Sequence, residues 1–331
     1  MKTYCPMPFE HLYVAETGEV KPCCVSRGFK SRPNIKNLSI EEIYNGEEFR
    51  ELRRDLTDNK RPNICGDCWQ LENSGKSSYR LDAMSTYKNS QVTEIVSAQF
   101  KNIDIRFSNL CNLKCIMCGP LSSHLHNNGV VIKLEDIFLE QLKKHLKEIE
   151  SVYFAGGEPL IMNEHYTLLE YLSEVKPGTK LSYNTNLQVL EKGKYKVLDL
   201  WKKFTHPVFV LASCDGLYEK GSKIRENFDT AKFVHNIKLL RENNIEYKIS
   251  YTVGSYNVTD IPLFIKQAQE LDIINDVEDI TFNNLVRLPK KYSVRSLPLD
   301  KKQEVSSLLE SVLSHKRQMK EIINYMIGKV L

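Results

Sequence analysis

Three of the nine cysteines, Cys111, Cys115 and Cys118, form a C-x3-C-x2-C segment. Thiolates at this spacing can cover one face of an iron–sulfur cube, each binding a different iron. The fourth iron would then have no protein ligand and would stay open to a small molecule, as in metal sites that carry out chemistry. The alternative is zinc with a distant fourth ligand, although structural zinc sites favour paired C-x2-C arms.

A second group of cysteines lies near the start of the chain and consists of Cys5, Cys23, Cys24, Cys65 and Cys68. Four such thiols suit either a structural zinc ion or a second iron–sulfur cluster, because both take four cysteine ligands. Spacing alone does not decide between these two centres. Many turn-forming residues separate the cysteines, which indicates a small, loop-rich region.

The charge and the cysteine count restrict the class of protein. The 331 residues contain 46 Lys and Arg against 42 Asp and Glu, a net charge of +4 that is too small to argue for nucleic acid or anionic lipid. An odd number of cysteines in a chain of this length argues against a disulfide framework. We find no apolar stretch typical of a signal peptide and no run of ~18 apolar residues. We therefore expect a cytoplasmic protein with reduced cysteines and no membrane association.

Short apolar strands alternate with helical patterns from Asn102 onward. Six β/α units in series predict a parallel sheet with right-handed crossovers, and six are too few for a complete eight-stranded barrel. The expected fold class is therefore α/β, a partial (β/α)6 TIM-like barrel preceded by a small cysteine-rich domain. The predicted strands are Ile103–Phe107, Ser151–Phe154, Lys180–Asn184, Val208–Ser213, Tyr247–Val253 and Asp279–Asn284. The predicted helices are Leu134–Ile149, His165–Val175, Leu190–Phe204, Thr230–Asn243, Ile261–Leu271 and a final segment from Asp300 to about Met326.

Chemically useful residues stand at the ends of the predicted strands, where the site of such a sheet lies. The second strand ends in Gly156-Gly157-Glu158, whose glycines allow close backbone approach and whose carboxylate can bind an ammonium group. The third strand ends at Asn184 and the fourth at Ser213. The three-cysteine segment follows the first strand, so all of these residues are expected at one end of the sheet.

The cysteine segment, the Gly-Gly-Glu-Pro turn and the later strand ends resemble the radical S-adenosylmethionine (radical SAM) superfamily. The resemblance implies that Cys111, Cys115 and Cys118 hold a [4Fe–4S] cluster whose open iron binds SAM. Reductive cleavage of SAM in that family gives methionine and a 5′-deoxyadenosyl radical, which abstracts hydrogen from a substrate. The residue before the third cysteine is usually aromatic and lies against adenine, whereas here it is Met117, whose thioether can also pack on a ring.

The same resemblance implies SAM-binding roles for the strand-end residues. Glu158, beside Gly156 and Gly157, would take the SAM amino group, and Asn184 would lie beneath the site. Ser213 and Arg225, twelve residues apart, are similar to a pair that contacts SAM in the peptide-modifying branch.

Two of these residues have alternative interpretations. The alternative for Arg225 is a surface salt bridge with Glu226 or Asp229. Cys214 either donates hydrogen to a substrate radical or packs as a small buried residue. The second is favoured, because Cys214 faces away if Ser213 faces the site.

The N-terminal cysteine group resembles the auxiliary-cluster extension of the SPASM and twitch type, placed before the barrel. Two cysteines of the longer SPASM pattern are missing, which implies one auxiliary [4Fe–4S] cluster with Cys5, Cys23, Cys65 and Cys68 as ligands. Cys24 is the alternative to Cys23. Helix formation between these ligands is predicted by the capping box that begins at Ser39.

These features predict a radical SAM enzyme of oxidoreductase or transferase type. The domains would be an auxiliary-cluster domain (1–92), a radical SAM partial barrel (93–290) and a C-terminal helical segment (291–331). A peptide or protein side chain is the favoured substrate, a nucleotide or nucleic-acid base is the alternative, and flavodoxin or ferredoxin would donate electrons. The competing hypothesis from another class is a non-catalytic protein with two zinc sites.

Overall fold

The computed structural model describes residues 2–87, 94, 100–313 and 317–328. The strands are β1 (His11–Val14), β2 (Val20–Lys21), β3 (Asn102–Ile105), β4 (Lys114–Cys115), β5 (Ser151–Phe154), β6 (Lys180–Thr185), β7 (Glu191–Lys192), β8 (Tyr195–Lys196), β9 (Phe209–Ser213), β10 (Arg225–Glu226), β11 (Glu246–Val253) and β12 (Ile280–Leu285). The helices are α1 (Met7–Glu10), α2 (Ile40–Tyr44), α3 (Glu47–Thr57), α4 (Gly66–Asn73), α5 (Tyr79–Thr86), α6 (Asp136–Lys143), α7 (Asn163–Val175), α8 (Val197–Trp201), α9 (Tyr218–Ile224), α10 (Thr230–Glu242), α11 (Ile261–Glu270), α12 (Leu299–Leu313) and α13 (Arg317–Met326).

The chain forms two compact units. Unit 1 comprises Met1–Leu110, Val131–Ser182 and Asp199–Val208, and unit 2 comprises Cys111–Val130, Tyr183–Leu198 and Phe209–Leu331. These units are defined by compactness, whereas the domains 1–92, 93–290 and 291–331 are divisions of function and stay a prediction. The predicted boundary at residues 92 and 93 lies outside the described residues.

The sheet of unit 1 is built around β3. Strand β3 pairs in parallel with β1 on one side and with β5 on the other, and β2 pairs antiparallel with β1. Lys180, the first residue of β6, is joined to the residue before β5, since its N–H donates to the Glu150 carbonyl at 2.9 Å. The cysteine-rich segment therefore contributes a strand to the parallel sheet, which the sequence analysis did not predict.

Side chains alternate between the two faces of β3. Ile103 and Ile105 are buried on one face, and Val152 and Phe154 of the neighbouring β5 have no exposure either. Asp104 points to the opposite face and is only 3% exposed. One face of this sheet thus supplies apolar core, and the other carries polar groups.

Unit 2 contains a second parallel set of strands. Strand β11 pairs in parallel with β9 and with β12. Two short antiparallel pairs complete the unit, β4 with β10 and β7 with β8. The α/β class with a parallel sheet is therefore confirmed.

Most predicted elements occur within a few residues of their expected bounds, including all six predicted strands. The capping box is also present, since the Ser39 hydroxyl accepts from the Glu42 N–H while the Glu42 carboxylate accepts from the Ser39 N–H. The helix predicted over Leu190–Phe204 is wrong in its first half, where β7 and β8 form a hairpin. Gly193 stands in the turn with φ +57°, a conformation that glycine adopts without strain.

Candidate functional site

Backbone pairing fixes the three-cysteine segment within unit 2. Cys115 lies in β4, directly opposite Arg225 in β10. The next residue continues the contact, since the Ile116 N–H donates to the Ile224 carbonyl at 2.9 Å. Arg225, twelve residues after Ser213, is therefore brought against the cysteines by strand pairing.

Two histidines support the same segment. The Cys111 N–H donates to Nδ1 of His124 at 3.3 Å, and Nε2 of His126 lies 2.9 Å from the Cys115 carbonyl. The Ser123 hydroxyl donates to the Leu113 carbonyl at 3.0 Å. Both imidazoles therefore bind backbone atoms of the loop.

Nitrogen donors approach the sulfur atoms of this loop. The Leu113 N–H lies 3.4 Å from Sγ of Cys111, and Nδ2 of Asn186 lies 3.9 Å from the same sulfur. Nη1 of Arg225 lies 3.8 Å from Sγ of Cys115. Hydrogen bonds to thiolate sulfur stabilise the extra negative charge of a reduced metal centre and raise its potential.

Arg225 is held by a carboxylate that the sequence analysis did not assign. Its Nε and Nη2 lie 2.9 and 2.8 Å from Oδ2 of Asp215, whose side chain is fully buried. Asp215 also accepts from the Thr252 N–H at 2.7 Å. The alternative partners Glu226 and Asp229 are wrong, because Asp215 pairs with the guanidinium and fixes which of its nitrogens faces Cys115.

Ser213 and Cys214 behave as strand alternation predicts. The Ser213 hydroxyl donates to Oδ1 of Asn184 at 3.4 Å, so two predicted SAM-binding residues lie side by side on β9 and β6. Cys214 has no exposed surface, and burial raises the pKa of its thiol to about 12. A protonated thiol with no access to solvent is consistent with a small core residue.

Tyr256 is a candidate site residue that the sequence analysis missed. Its hydroxyl is buried and has no hydrogen-bond partner within the described part of the chain. Burial raises the pKa of Tyr256, and the charge of Asp215 raises it further while that of Arg225 lowers it. The residue lies in a loop after β11, and no local pattern distinguishes it from other tyrosines. Met117 is half-buried within the cysteine loop.

The predicted glycine turn lies in unit 1, after β5. A Cβ atom at Gly157 would stand 2.1 Å from the Leu110 carbonyl oxygen, and Gly156 has φ +111°. The Glu158 N–H donates to that same carbonyl at 2.8 Å, and Oε1 of Glu158 accepts from the Leu160 N–H. Backbone crowding therefore requires glycine here, and Glu158 is held almost fully buried at 1% exposure.

The N-terminal cysteines gather around one cavity in unit 1. Cys5, Cys23, Cys65 and Cys68 all line it, together with Arg80. Burial raises the pKa of the Cys5 and Cys65 thiols, and the Arg80 guanidinium opposes this effect at both. An anionic centre bound by these thiols would gain from the same positive charge.

Cys24 does not line this cavity and is exposed. Burial raises the pKa of the Cys24 thiol, the Asp104 carboxylate raises it further, and the Arg106 guanidinium lowers it. Of the two adjacent cysteines, Cys23 is therefore the one placed among the other three thiols.

Both cysteine groups fit iron–sulfur clusters in donor chemistry. Three thiols on one loop leave a coordination position open, whereas four thiols around a cavity close a centre. In the described ranges, no three His, Cys, Asp or Glu side chains converge closely enough to hold a single metal ion. Thiols that each bind a different iron of a cube do not need such convergence. The same ranges hold no helix that is both long and apolar enough to cross a membrane.

Comparison with known families gives two matches. Residues 105–267 match the radical SAM superfamily, and residues 5–69 match SPASM, an iron–sulfur cluster-binding domain. The chain therefore belongs to the radical SAM superfamily. Proteins of this superfamily are enzymes, and the N-terminal match is to a domain that binds an iron–sulfur cluster. The hypothesis of a non-catalytic zinc protein is wrong.

Among curated relatives, the chain is similar to GTP 3′,8-cyclase of Clostridium botulinum (strain Okra / Type B1), with 24% identity over 194 residues. This match covers 57% of the chain and 53% of the relative, so the chain spans about half the length of that protein. The enzyme of strain Hall is 30% identical over 84 residues, 24% of the chain and 26% of the relative.

Solved structures with a similar fold include histidine-tagged anSMEcpe with bound AdoMet, at a TM-score of 0.49 and 21% identity. This likeness covers 70% of the chain and 60% of that protein. Streptococcus suis SuiB bound to precursor peptide SuiA has a TM-score of 0.45 and 16% identity, over 85% of the chain and 58% of SuiB.

Proposed function

We propose that this enzyme cleaves SAM reductively at the three-cysteine loop and abstracts hydrogen from a peptide or protein side chain. One observation carries the first step: Nη1 of Arg225 lies 3.8 Å from Sγ of Cys115, which places a positive charge beside the three-cysteine loop. When bound, the cluster supplies the electron that breaks the sulfonium C–S bond of SAM. The chain's own residues hold the cluster, orient SAM and balance charge.

The proposed roles follow from chemistry and position. Cys111, Cys115 and Cys118 would hold a [4Fe–4S] cluster by three of its irons, which would leave one iron open to the amino and carboxylate groups of SAM. Glu158, beside Gly156 and Gly157, binds the SAM ammonium group. These assignments rest on the family resemblance and on the buried, fixed position of Glu158.

Four further residues would complete the SAM-binding set. Ser213 and Asn184 offer neutral hydrogen-bonding groups to the ribose or the carboxylate, and Met117 packs against adenine. Arg225 faces an anionic group with Nη1, because Asp215 occupies Nε and Nη2. This arrangement gives a permanent positive charge at a fixed position.

The four thiols of Cys5, Cys23, Cys65 and Cys68 are proposed to close the auxiliary [4Fe–4S] cluster. A cluster with four protein ligands has no open iron, so its role would be electron transfer or substrate docking. Arg80, itself paired with Glu72 at 2.6 Å, supplies positive charge beside it. Electron donation by flavodoxin or ferredoxin, and a cytoplasmic location, complete the proposal.

The substrate class is ranked by the kind of auxiliary domain. A SPASM-type domain with a twitch-like cysteine count resembles the peptide-modifying branch, which places a peptide or protein side chain first. A nucleotide is the second candidate, because curated relatives are named GTP 3′,8-cyclase.

The proposal is tested on enzyme purified without oxygen. Two [4Fe–4S] clusters require about eight irons per chain, and reduction with dithionite in the presence of SAM should release 5′-deoxyadenosine. Iron without formation of 5′-deoxyadenosine would overturn the first step. Adding GTP separates the two substrate classes, since conversion of GTP to a new nucleotide would reject the peptide ranking.

A further inference from the structure

Polar side chains stand in a row across three strands of unit 1. Tyr13 of β1 is directly opposite Asp104 of β3, and Asp104 is directly opposite Tyr153 of β5. Residues paired across parallel strands project from the same face of the sheet. This row therefore lies on the face opposite to Ile103 and Ile105, whose side chains form apolar core.

Arg106 adds a cation to the row. Its Nη2 lies 3.4 Å from Oδ2 of Asp104, and its guanidinium carbon lies 5.2 Å from the centre of the Tyr13 ring. A Cβ atom at Gly156 would lie 3.2 Å from Cβ of Arg106, so the predicted SAM-binding turn packs directly against this residue. The row is thus adjacent to one element of the proposed reaction site.

One hydrogen-bonding atom on each charged group is unused. Oδ1 of Asp104 and Nε of Arg106 are buried and have no hydrogen-bond partner in the part of the chain that the structure describes. Asp104 is 3% exposed, and the Arg106 side chain is 23% exposed. A buried polar atom without a partner destabilises the fold, and a ligand that satisfies both atoms would remove that cost.

The two atoms define the chemistry of such a ligand. Oδ1 of Asp104 accepts a hydrogen bond and Nε of Arg106 donates one, so the matching group carries an N–H and a carbonyl oxygen close together. An amide has this pair of groups. The tyrosine rings of Tyr13 and Tyr153 would supply flat apolar surface beside it.

The charge balance favours an uncharged ligand. Asp104 and Arg106 carry opposite charges, and so do Lys21 and Glu16, which flank the pair. A nucleoside triphosphate needs several unpaired cations for its phosphates, whereas a peptide group needs none. Burial raises the pKa of Asp104 to about 6 against the lowering effect of Arg106, which leaves the carboxylate ionised at neutral pH.

We propose that Tyr13, Asp104, Arg106 and Tyr153 form a substrate-binding site that takes a peptide amide group. This inference rests on the proposed function, because the bound peptide would be the substrate of the radical reaction. These residues would recognise that substrate, and a polyanion would not bind at this position. Asp104 and Arg106 act by binding and orienting, and no bond of theirs forms or breaks.

Cys24 provides a reporter that does not require knowledge of the natural substrate. Cys24 is an exposed residue, and the Asp104 and Arg106 charges act on its thiol. Alkylation by N-ethylmaleimide, measured by peptide mass spectrometry on anaerobic, cluster-loaded enzyme, would report whether the site is occupied. Cys24→Ala enzyme corrects for alkylation elsewhere.

The probe is N-acetylalanine N′-methylamide, an uncharged molecule with two peptide groups, and GTP is the nucleotide probe. At three times its dissociation constant the amide should slow alkylation of Cys24 about fourfold, since protection equals 1 + [L]/Kd. The matched variant is Asp104→Leu combined with Arg106→Met. Replacing a buried ion pair by apolar residues of similar size usually keeps or raises stability, and circular dichroism and iron content would verify folding.

Protection in the wild-type enzyme that disappears in the double variant supports the site. Absence of protection by the amide, equal protection of both proteins, or protection by GTP alone overturns it. These outcomes are independent of SAM cleavage. Loss of 5′-deoxyadenosine formation overturns the proposed function whatever the alkylation shows, whereas cleavage without protection overturns only this site.

Discussion

The two cysteine groups differ in how the chain presents their thiols. The group in unit 2 lies on one continuous loop, held by pairing of β4 with β10 and by two imidazoles. The group in unit 1 is collected from separate segments around a cavity. A single loop leaves space on the far side of a bound centre, whereas separate segments enclose it. This difference fits the proposed roles, an open cluster that reacts with SAM in unit 2 and a fully ligated auxiliary cluster in unit 1.

Each group also has one buried arginine with an acidic partner. Arg225 pairs with Asp215 in unit 2, and Arg80 pairs with Glu72 in unit 1. In unit 2 the free end of the guanidinium points at a cysteine sulfur, while in unit 1 Nη1 of Arg80 also donates to the Tyr4 carbonyl. Positive charge is thus common to both sites. Backbone N–H groups also donate to thiols in unit 1, those of Met7 to Cys5 and of Val25 to Cys23, whereas in unit 2 a guanidinium nitrogen approaches a sulfur.

The largest expected effect is loss of SAM cleavage in Cys115→Ala. Changes in groups that only support metal ligands cost about 10- to 100-fold, so loss of a ligand should cost more than 100-fold. Formation of 5′-deoxyadenosine measures this, and Cys214→Ala is the control because that thiol is buried and bonded to a backbone carbonyl. Retained cleavage in Cys115→Ala would break the assignment of the open centre.

Cys68→Ala should remove the centre held by the unit 1 cysteines and leave the three-cysteine loop of unit 2 intact. We expect iron to fall from about eight to about four atoms per chain, while cleavage of SAM continues without productive turnover. Cys24→Ala, which removes an exposed thiol that does not line the cavity, should keep the full iron content. Equal iron loss in both variants would show that the cavity does not define the ligands.

Asp215→Asn tests the role of the fixed guanidinium. Removing the carboxylate leaves Arg225 buried without its counter-charge and frees Nη1 from its position near Cys115. We expect about a 10-fold loss of SAM cleavage. We also expect a shift in the midpoint potential of the cluster, which is measured by a redox titration monitored with electron paramagnetic resonance. The exposed Glu226→Gln is the control, and an unchanged potential would limit Asp215 to a structural role.

A smaller effect concerns the hairpin that carries Cys23. Nδ1 of His11 lies 3.0 Å from the Pro22 carbonyl, and burial lowers the pKa of His11 from 6.5 to about 4. Because the pKa of His11 is lower in the folded protein, the unfolded chain binds more protons between pH 4 and pH 6.5. The free energy of unfolding is therefore highest above pH 6.5 and decreases as the pH falls toward 4, by about 2 kcal/mol between pH 7 and pH 5.

Urea unfolding of the wild type and His11→Gln at both pH values measures this contribution. Glutamine can still donate to the Pro22 carbonyl but does not titrate, so its dependence on pH should be weaker. His206→Gln, at an exposed histidine, should behave as the wild type does. An identical slope in all three proteins would assign the acid sensitivity to other groups.

The sequence predicted those parts of the fold that depend on local pattern. Strand β5, residues 151–154, was predicted at its observed bounds, because a short apolar run between polar residues marks it in the sequence. The structure shows the alternation of buried and half-buried residues that a strand produces. Strand β1 was missed, since His11–Val14 is short and becomes a strand by pairing with β3 far along the chain. The hairpin of β7 and β8 was missed because its residues also fit a helical pattern.

The candidate site divides in the same way. The cysteines and glycines carry their chemistry in residue type and spacing, which a sequence displays directly. Asp215 acts through a partner ten residues away, and Tyr256 only through the neighbours that the fold provides. The ligand roles themselves stay predictions.

The pairing of β1 with β3 sets an order of events during synthesis. His11 is made about 90 residues before its partner Asn102, a wait of roughly 5–20 s at ordinary rates of translation. During that interval all four thiols of the unit 1 cavity have been synthesised, while the neighbouring sheet strand has not. Cluster delivery to this region therefore competes with oxidation of a nascent chain, and growth with limited oxygen should favour the fully loaded enzyme.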